Sequence, residues 1–197
     1  MKKQLSVLCL SWALAACGTS PEPDFYALAV QPGMMTPQPA FVVKVQRPVL
    51  AGYLDRPDFV TQDGAYQVSI DDANQWAEPL DTMFARIFAA DIQQRLPGSH
   101  VVTEDDKVPG DTRFTLSFNL QRFNATEDGH VLLQGRLFIK DTKADIQPPP
   151  LQVQWTIDSG GDALDIAEGL SRTIGCLADQ AASALIILDQ PAFKTTP

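Results

Sequence analysis

Histidine and cysteine are scarce in this chain, and with them the usual means of metal binding and covalent catalysis. Two histidines and three cysteines occur in 197 residues. His100 and His130 each stand beside an expected turn, and neither belongs to a His-Glu-x-x-His or Cys-x-x-Cys pattern, so a zinc site lacks ligands. No Gly-x-Ser-x-Gly elbow is present, and Gly160-Gly161 is not followed by the Lys-Ser/Thr of a nucleotide-binding loop. Asp71-Asp72 and Glu104-Asp105-Asp106 lack the spaced oxygen ligands of a calcium loop and read as solvated turns. The convergent groups that catalysis needs are absent, so the chain reads as non-enzymatic and without a cofactor. A long apolar run is missing too. The stretch Leu5–Ala16 is twelve residues, whereas crossing a bilayer takes about 20.

That short stretch follows Lys2 and Lys3 and ends in Leu14-Ala15-Ala16-Cys17. Basic residues, an apolar run and small residues at a cleavage point make a secretory signal. A cysteine directly after the small residues makes it a lipoprotein signal, in which residues 1–16 are removed and Cys17 carries covalent lipid. Two or three acyl chains anchor stably where one would not. Gly18, in place of the aspartate that commonly retains lipoproteins at the inner membrane, points to the outer membrane and its periplasmic face. Cys9 then leaves with the signal and Cys17 is consumed by lipid. Cys176 remains as a partly buried helical thiol, unable to form an intramolecular disulfide.

Of the 15 basic and 24 acidic residues, removal of Lys2 and Lys3 leaves 13 against 24, a net charge of −11. Such a chain repels nucleic acid and anionic headgroups. About 180 residues suffice for one domain with a proper core. Residues 17–24, polar with two prolines, read as a lipidated tether. Residues 25–190 read as a single domain, and 191–197 as a tail.

Within that domain Phe25–Leu28 opens as a short strand and Gln31–Pro39 is a loop. Period-two alternation then marks strands whose inward residues are Phe41, Val43 and Val45; Tyr66, Val68 and Ile70; Phe114, Leu116, Phe118 and Leu120; and Leu151, Val153, Trp155 and Ile157. The break at Arg122-Phe123 predicts a bulge or a strand end. Asp128-Gly129 predicts a hairpin into Val131–Ile139, and His100–Thr103 adds a short strand. Leu80, Met83, Phe84, Ile87, Phe88, Ile92 and Leu96 recur at helical spacing after Pro79 and stop at Pro97-Gly98. A second helix spans about Ala163–Leu188, with Ala167, Leu170, Ile174, Leu177, Ala181, Leu185 and Leu188 on one stripe. The fold class is therefore α/β, mixed α+β, with a mixed, largely antiparallel sheet packed by two long helices. Thr115, Ser117, Asn119, Gln121, Gln134, Gln152, Gln154 and Thr156 form an outward row without charge. It is either an ordinary wet face or a face packed against another subunit.

Two motifs go beyond this architecture. Tyr53-Leu54-Asp55-Arg56-Pro57, followed by Phe59-Val60, and Gln75-Trp76-Ala77-Glu78-Pro79-Leu80 at the first helix resemble segments of the PqiC-like outer-membrane lipoproteins, the auxiliary components of ABC-type transport systems. The resemblance spans roughly residues 17 to 190, and Phe25-Tyr26-Ala27 departs slightly from the Tyr-Tyr-x-Leu-like run common there. It implies a compact domain like the N-terminal domain of TolB and a homo-oligomer. It also implies partnership with an MCE-domain protein that bridges the two membranes, in lipid transport or envelope integrity. Locally each motif residue has a structural explanation. Asp55 and Arg56 flank a turn stiffened by Pro57 and can pair with each other or with the helix. Trp76 can staple against Met83, and Glu78 suits the positive helix start. Partner contact by Tyr53, Asp55 or Arg56 is the alternative. Two other functions compete, a lipid- or solute-binding carrier with a chamber of about 300–1,000 Å³ and an outer-membrane assembly factor.

Serine cannot form the lipid thioether, so Cys17→Ser is expected to leave an unlipidated full-length precursor. Incorporation of labelled fatty acid equal to wild type would refute the lipoprotein assignment. Gly18→Asp is expected to move the protein to inner-membrane fractions.

Overall fold

A computed structural model describes residues 22–37, 40–106 and 111–190. The expected signal, Cys17, Gly18 and the 191–197 tail lie outside these residues. The strands are β1 (Asp24–Tyr26), β2 (Val42–Val45), β3 (Val49–Leu50), β4 (Asp58–Asp63), β5 (Gln67–Trp76), β6 (His100–Thr103), β7 (Phe114–Thr126), β8 (His130–Asp141) and β9 (Leu151–Asp158). Helix α1 (Leu80–Arg95) lies between β5 and β6, and α2 (Ala163–Asp189) closes the chain.

All nine strands form one mixed sheet built on β7. One edge of β7 pairs antiparallel with β8 along nearly its whole length, and β8 pairs antiparallel with β9. The other edge is shared in succession by three short parallel partners. β2 takes Phe114–Leu116, β3 takes Asn119-Leu120, and β4 takes Ala125-Thr126. β6 adds outside β2, and β5 and then β1 add outside β4. The parallel β2–β6 pair makes a crossover connection, with α1 inside it. The long pairings are antiparallel and the short ones parallel.

The alternation in β7 sends Phe114, Leu116, Phe118 and Leu120 into the core. After Leu120 the register slips by one residue at Gln121, so Arg122 pairs with Gln134 and Phe123 returns to the core. The expected bulge is therefore present, and it keeps both halves of the strand facing the same layer. Gly129, at φ +79°, makes the expected turn into β8. Gly135 lies opposite the bulge, where a Cβ would stand 2.2 Å from the carbonyl oxygen of Asn119 and 2.8 Å from the Phe118 ring. Only glycine lets that ring lie flat on the strand.

Both helices cover this one face. Pro79 caps α1, with Asp81 in the first turn and Arg95 in the last, as the helix dipole favours. Phe84 stacks on Phe118 at 5.7 Å and meets Phe123 edge-on at 5.6 Å. Helix α2 starts at Asp162, whose carboxylate accepts the Asp165 N–H at 2.8 Å, and its stripe from Ala167 to Leu185 is buried. Gly169 brings it close to Val131 of β8. Arg113 then ties three ends together, pairing with Asp141 at the end of β8 at 2.9 Å and with Asp189 at the end of α2 at 3.1 Å.

Some sequence expectations need correction. β5 exists, but Tyr66, Val68 and Ile70 do not point into the core; their exposures are 101%, 39% and 50%. The alternation there is real, but Val68 pairs with Gln62 and Gln62 with Thr126, so this row lies on the sheet face opposite the helices, at the sheet's edge. β5 also extends to Trp76, so Gln75 and Trp76 end a strand rather than open the helix, and Asp71-Asp72 lie in that strand rather than in a turn. The two-residue strand β3 is too short to leave an alternation pattern.

Deleting a buried phenyl ring costs about 3–5 kcal/mol against a total stability of about 5–15. Phe84→Ala and Phe88→Ala are each expected to lower the thermal midpoint of the domain sharply, as followed by circular dichroism. Unchanged melting of both would show that α1 is not packed as described.

Candidate functional site

The sheet face opposite the helices is open. Thr115, Ser117, Asn119, Gln134, Gln152, Gln154 and Thr156 lie on it as expected, but the row is not free of charge. Lys44, Arg122, Arg136 and Lys140 occupy outward positions among them, as the pairing of Lys44 with Thr115, Arg122 with Gln134 and Arg136 with Asn119 and Gln152 shows. Arg122 escapes the alternation that ends at Leu120 because the bulge moves it outward, whereas Lys44, Arg136 and Lys140 follow from the plain alternation of β2 and β8. Lys140 pairs with Asp145 at 3.2 Å. No carboxylate among the described residues pairs with Lys44, Arg122 or Arg136, and the Nε atoms of both arginines are buried without a hydrogen-bond partner. Arg136 leans over the Phe138 ring, 5.9 Å from its centroid. A chain rich in acid thus presents a face of cations, amides and one phenyl ring.

The motif residues border this face. β3 ends and β4 begins on either side of the bulge, and the segment 51–57 spans the gap. Tyr53 reaches over the open face, where its hydroxyl donates to the bulge carbonyl of Gln121 at 2.9 Å. A bulge leaves backbone groups without a ladder partner, and this hydroxyl supplies one. Burial raises the phenol pKa of Tyr53, partly opposed by the nearby Arg122 charge. Leu54 drops into the core, Arg56 Nε donates to the Tyr53 carbonyl at 3.0 Å, and Asp55 is exposed. Trp76 lies against Phe59, ring centroids 4.2 Å apart, and its backbone N–H donates to the Pro57 carbonyl at 2.7 Å. The two motifs therefore meet at Pro57 and Trp76. Glu78 pairs with Arg86 on α1. The Met83 sulfur, expected beneath Trp76, accepts the N–H of Leu28.

That last contact belongs to a strap. Residues 27–37, leading from β1, cross both helices and are held by polar groups that the sequence reading did not single out. The Ala29 N–H donates to Ser171 Oγ on α2, and the Gln31 N–H donates to Asp91 Oδ1 on α1 at 2.7 Å. Arg95, 2% exposed, donates to the carbonyls of Gln31, Asp91 and Gly175 and to Asp179. Gly33 lies against its guanidinium, and a Cβ there would be 2.3 Å away. Asp91 and Arg95 stand four residues apart on the apolar stripe of α1, a legible but overlooked signal of a buried pair. Asp91 is fully buried and its Oδ2 has no partner. Burial pushes its carboxyl up to about 6, opposed by the Gln31 N–H and Arg95 and reinforced by Asp179. Cys176 is half-buried on α2 as expected, and burial pushes its thiol pKa up.

The remaining candidates are dispersed. His130 stands between Asp128 at 3.3 Å and Asp158 at 3.0 Å. Asp105 pairs with Arg47, and Asp106 accepts from Thr103. No group of three or more His, Cys, Asp or Glu suited to a metal ion occurs among the described residues. Between sheet and helices the void bounded by Leu54, Phe59, Trp76, Leu80, Phe123 and Leu170 is about 10 Å³, room for about one water. A groove of about 480 Å³ opens at the surface beside Phe41, Asp111, Arg113, Thr142 and Lys143, with mixed polar and apolar walls.

A filled core between two helices and a branched mixed sheet, with the opposite sheet face open, defines a two-layer α+β domain. The chain belongs to the family of ABC-type transport auxiliary lipoprotein components, whose model matches residues 26–182. The same fold occurs in protein XCC0632 from Xanthomonas campestris, at 14% identity and a TM-score of 0.72 over 87% of this chain and 100% of that one. A second solved structure, of an uncharacterized protein, matches at 19% identity and 0.70 over 84% of this chain and 99% of that one. No curated protein matches the chain. No helix among the described residues is long and apolar enough to cross a membrane.

The Asp91 carboxyl has an ordinary value of 3.8 and one of about 6 in the fold. The folded state thus binds this proton more tightly, and stability falls as pH rises from about 4 to 6. Asp91→Asn is expected to remove that component. Its melting temperature relative to wild type should be higher at pH 7 than at pH 4. A difference independent of pH would show that Asp91 does not titrate in this interval.

Proposed function

We propose that this chain is a non-enzymatic lipoprotein on the periplasmic face of the outer membrane, anchored through lipid on Cys17. In this reading it is a homo-oligomeric accessory subunit of an MCE-type intermembrane lipid-transport or envelope-integrity system. The family match over residues 26–182 carries the reading, since it makes the chain an auxiliary lipoprotein of transport. The geometry supports a docking role. Cations without partners and a half-covered phenyl ring on a broad sheet face suit contact with another protein. The rival carrier role needs a chamber, and bulky Phe84, Phe88, Phe118 and Phe123 fill the space where one would form.

The test is retrieval of the tagged full-length lipoprotein from detergent-solubilised envelopes of its own bacterium, with mass spectrometry of what accompanies it. An MCE-domain protein is expected, and charge reversal of Arg136 to Glu should reduce its recovery. Enrichment of barrel-assembly proteins instead, with no MCE-domain protein, would overturn the reading in favour of an assembly factor.

A further inference from the structure

The open edges of this sheet are not alike. An edge strand presents unpaired N–H and C=O groups, and chains normally blunt it with charge, proline, a bulge or brevity. The β5 edge, which β1 covers only from Asn74 to Trp76, carries Asp71 and Asp72 and kinks where its register with β4 shifts. The β6 edge is four residues long and runs into Glu104, Asp105 and Asp106. β9 has none of these devices. It pairs with β8 in one unbroken register from Leu151 to Asp158. From Leu151 to Ile157 it holds neither charge nor proline. Among the described residues no strand lies beyond β9, and no other backbone group bonds to that span.

The sequence of β9 is also its own complement. Antiparallel pairing of two copies about a two-fold axis at Gln154 sets Val153 against Trp155, Leu151 against Ile157 and Gln152 against Thr156. Leu151, Val153, Trp155 and Ile157 lie on the helix layer, because they pair with Leu137, Gly135, Leu133 and Val131. Leu151, Trp155 and Ile157 are only half-buried there, so a second copy would cover what one copy leaves open. Gln152, Gln154 and Thr156 meet on the outward face without charge. With 24 acidic against 15 basic residues, two copies repel over most of their surface, and this neutral edge is where they repel least. Of the possible occupants of the edge, a second copy is therefore the one that the edge itself specifies.

We propose that β9 pairs antiparallel with β9 of a second copy, centred on Gln154, joining the two sheets into one. The contact is isologous and closes at two copies. It lays both outward faces on the same side, so the row from Asn119 through Arg136 and Gln152 continues into the second copy. This inference rests on the homo-oligomer reading above and names its contact.

The experiment uses full-length lipidated protein in detergent, with protein mass measured by light scattering and the fold of each variant checked by circular dichroism. Wild type is expected at the mass of a dimer or a multiple of it. At the axis Gln154 faces its own copy, so Gln154→Lys and Gln154→Glu each bring like charges together. Each alone should associate roughly tenfold more weakly or worse. Mixed in equal amounts, the two should regain the wild-type mass, because lysine then faces glutamate. Association that survives in both variants, or variants that stay apart when mixed, would overturn the β9 contact and leave the oligomer standing. Unchanged mass in both variants, with another protein lost from envelope retrieval, would assign the edge to that protein and overturn self-pairing. A monomeric wild type would overturn both the contact and the homo-oligomer reading.

Discussion

The bulge at Gln121 is the constraint on which the rest of this structure depends. One extra residue lets β7 continue for thirteen residues while keeping Phe118, Leu120, Phe123 and Ala125 on the same layer. Without it, the side chains after Leu120 would change faces and Phe123 would leave the ring cluster around Phe84. The bulge also bends the strand, and its other edge is divided among β2, β3 and β4 rather than held by one long neighbour. The Tyr53–Pro57 segment exists to bridge that division. Its tyrosine satisfies the bulge carbonyl, and its leucine seals the core beside it.

From this branching follow two features of the surface. Because β4 meets β7 only at Thr61 and Gln62, β5 is left as an edge strand whose apolar row lies on the face away from the helices. Because both helices lie on the opposite side, the outward row of β7 to β9 stays open, and the bulge turns Arg122 onto it. An acidic chain thereby gathers Lys44, Arg122, Arg136 and Lys140 on one sheet face.

The strap gives the body its connection to the segment before it. Its backbone N–H and C=O groups are paired not by a strand but by Asp91, Arg95, Ser171 and Met83, which reach up from both helices. Buried ionisable groups seldom add stability over apolar ones, but losing one partner leaves the other stranded. The cluster therefore fixes where residues 27–37 lie.

Most of the architecture was legible in the chain. Period-two alternation announced β2, β7, β8 and β9, the break at Arg122-Phe123 announced the bulge, and helical spacing announced α1 and α2 nearly to the residue. The Tyr53–Pro57 and Trp76–Pro79 segments were visible as motifs, but their roles were not, because a cap on a bulge carbonyl joins residues 68 positions apart. The burial of Tyr66, Val68 and Ile70 was misread because alternation reports that a strand has two unlike faces, not that anything covers one of them. The sequence by itself determined which residues form strands and helices and which way each side chain alternates, since those periods belong to the local backbone. Tertiary structure alone decided which faces are covered and which cations are left without partners. Burial and pairing depend on where distant elements come to lie, and no local period records that.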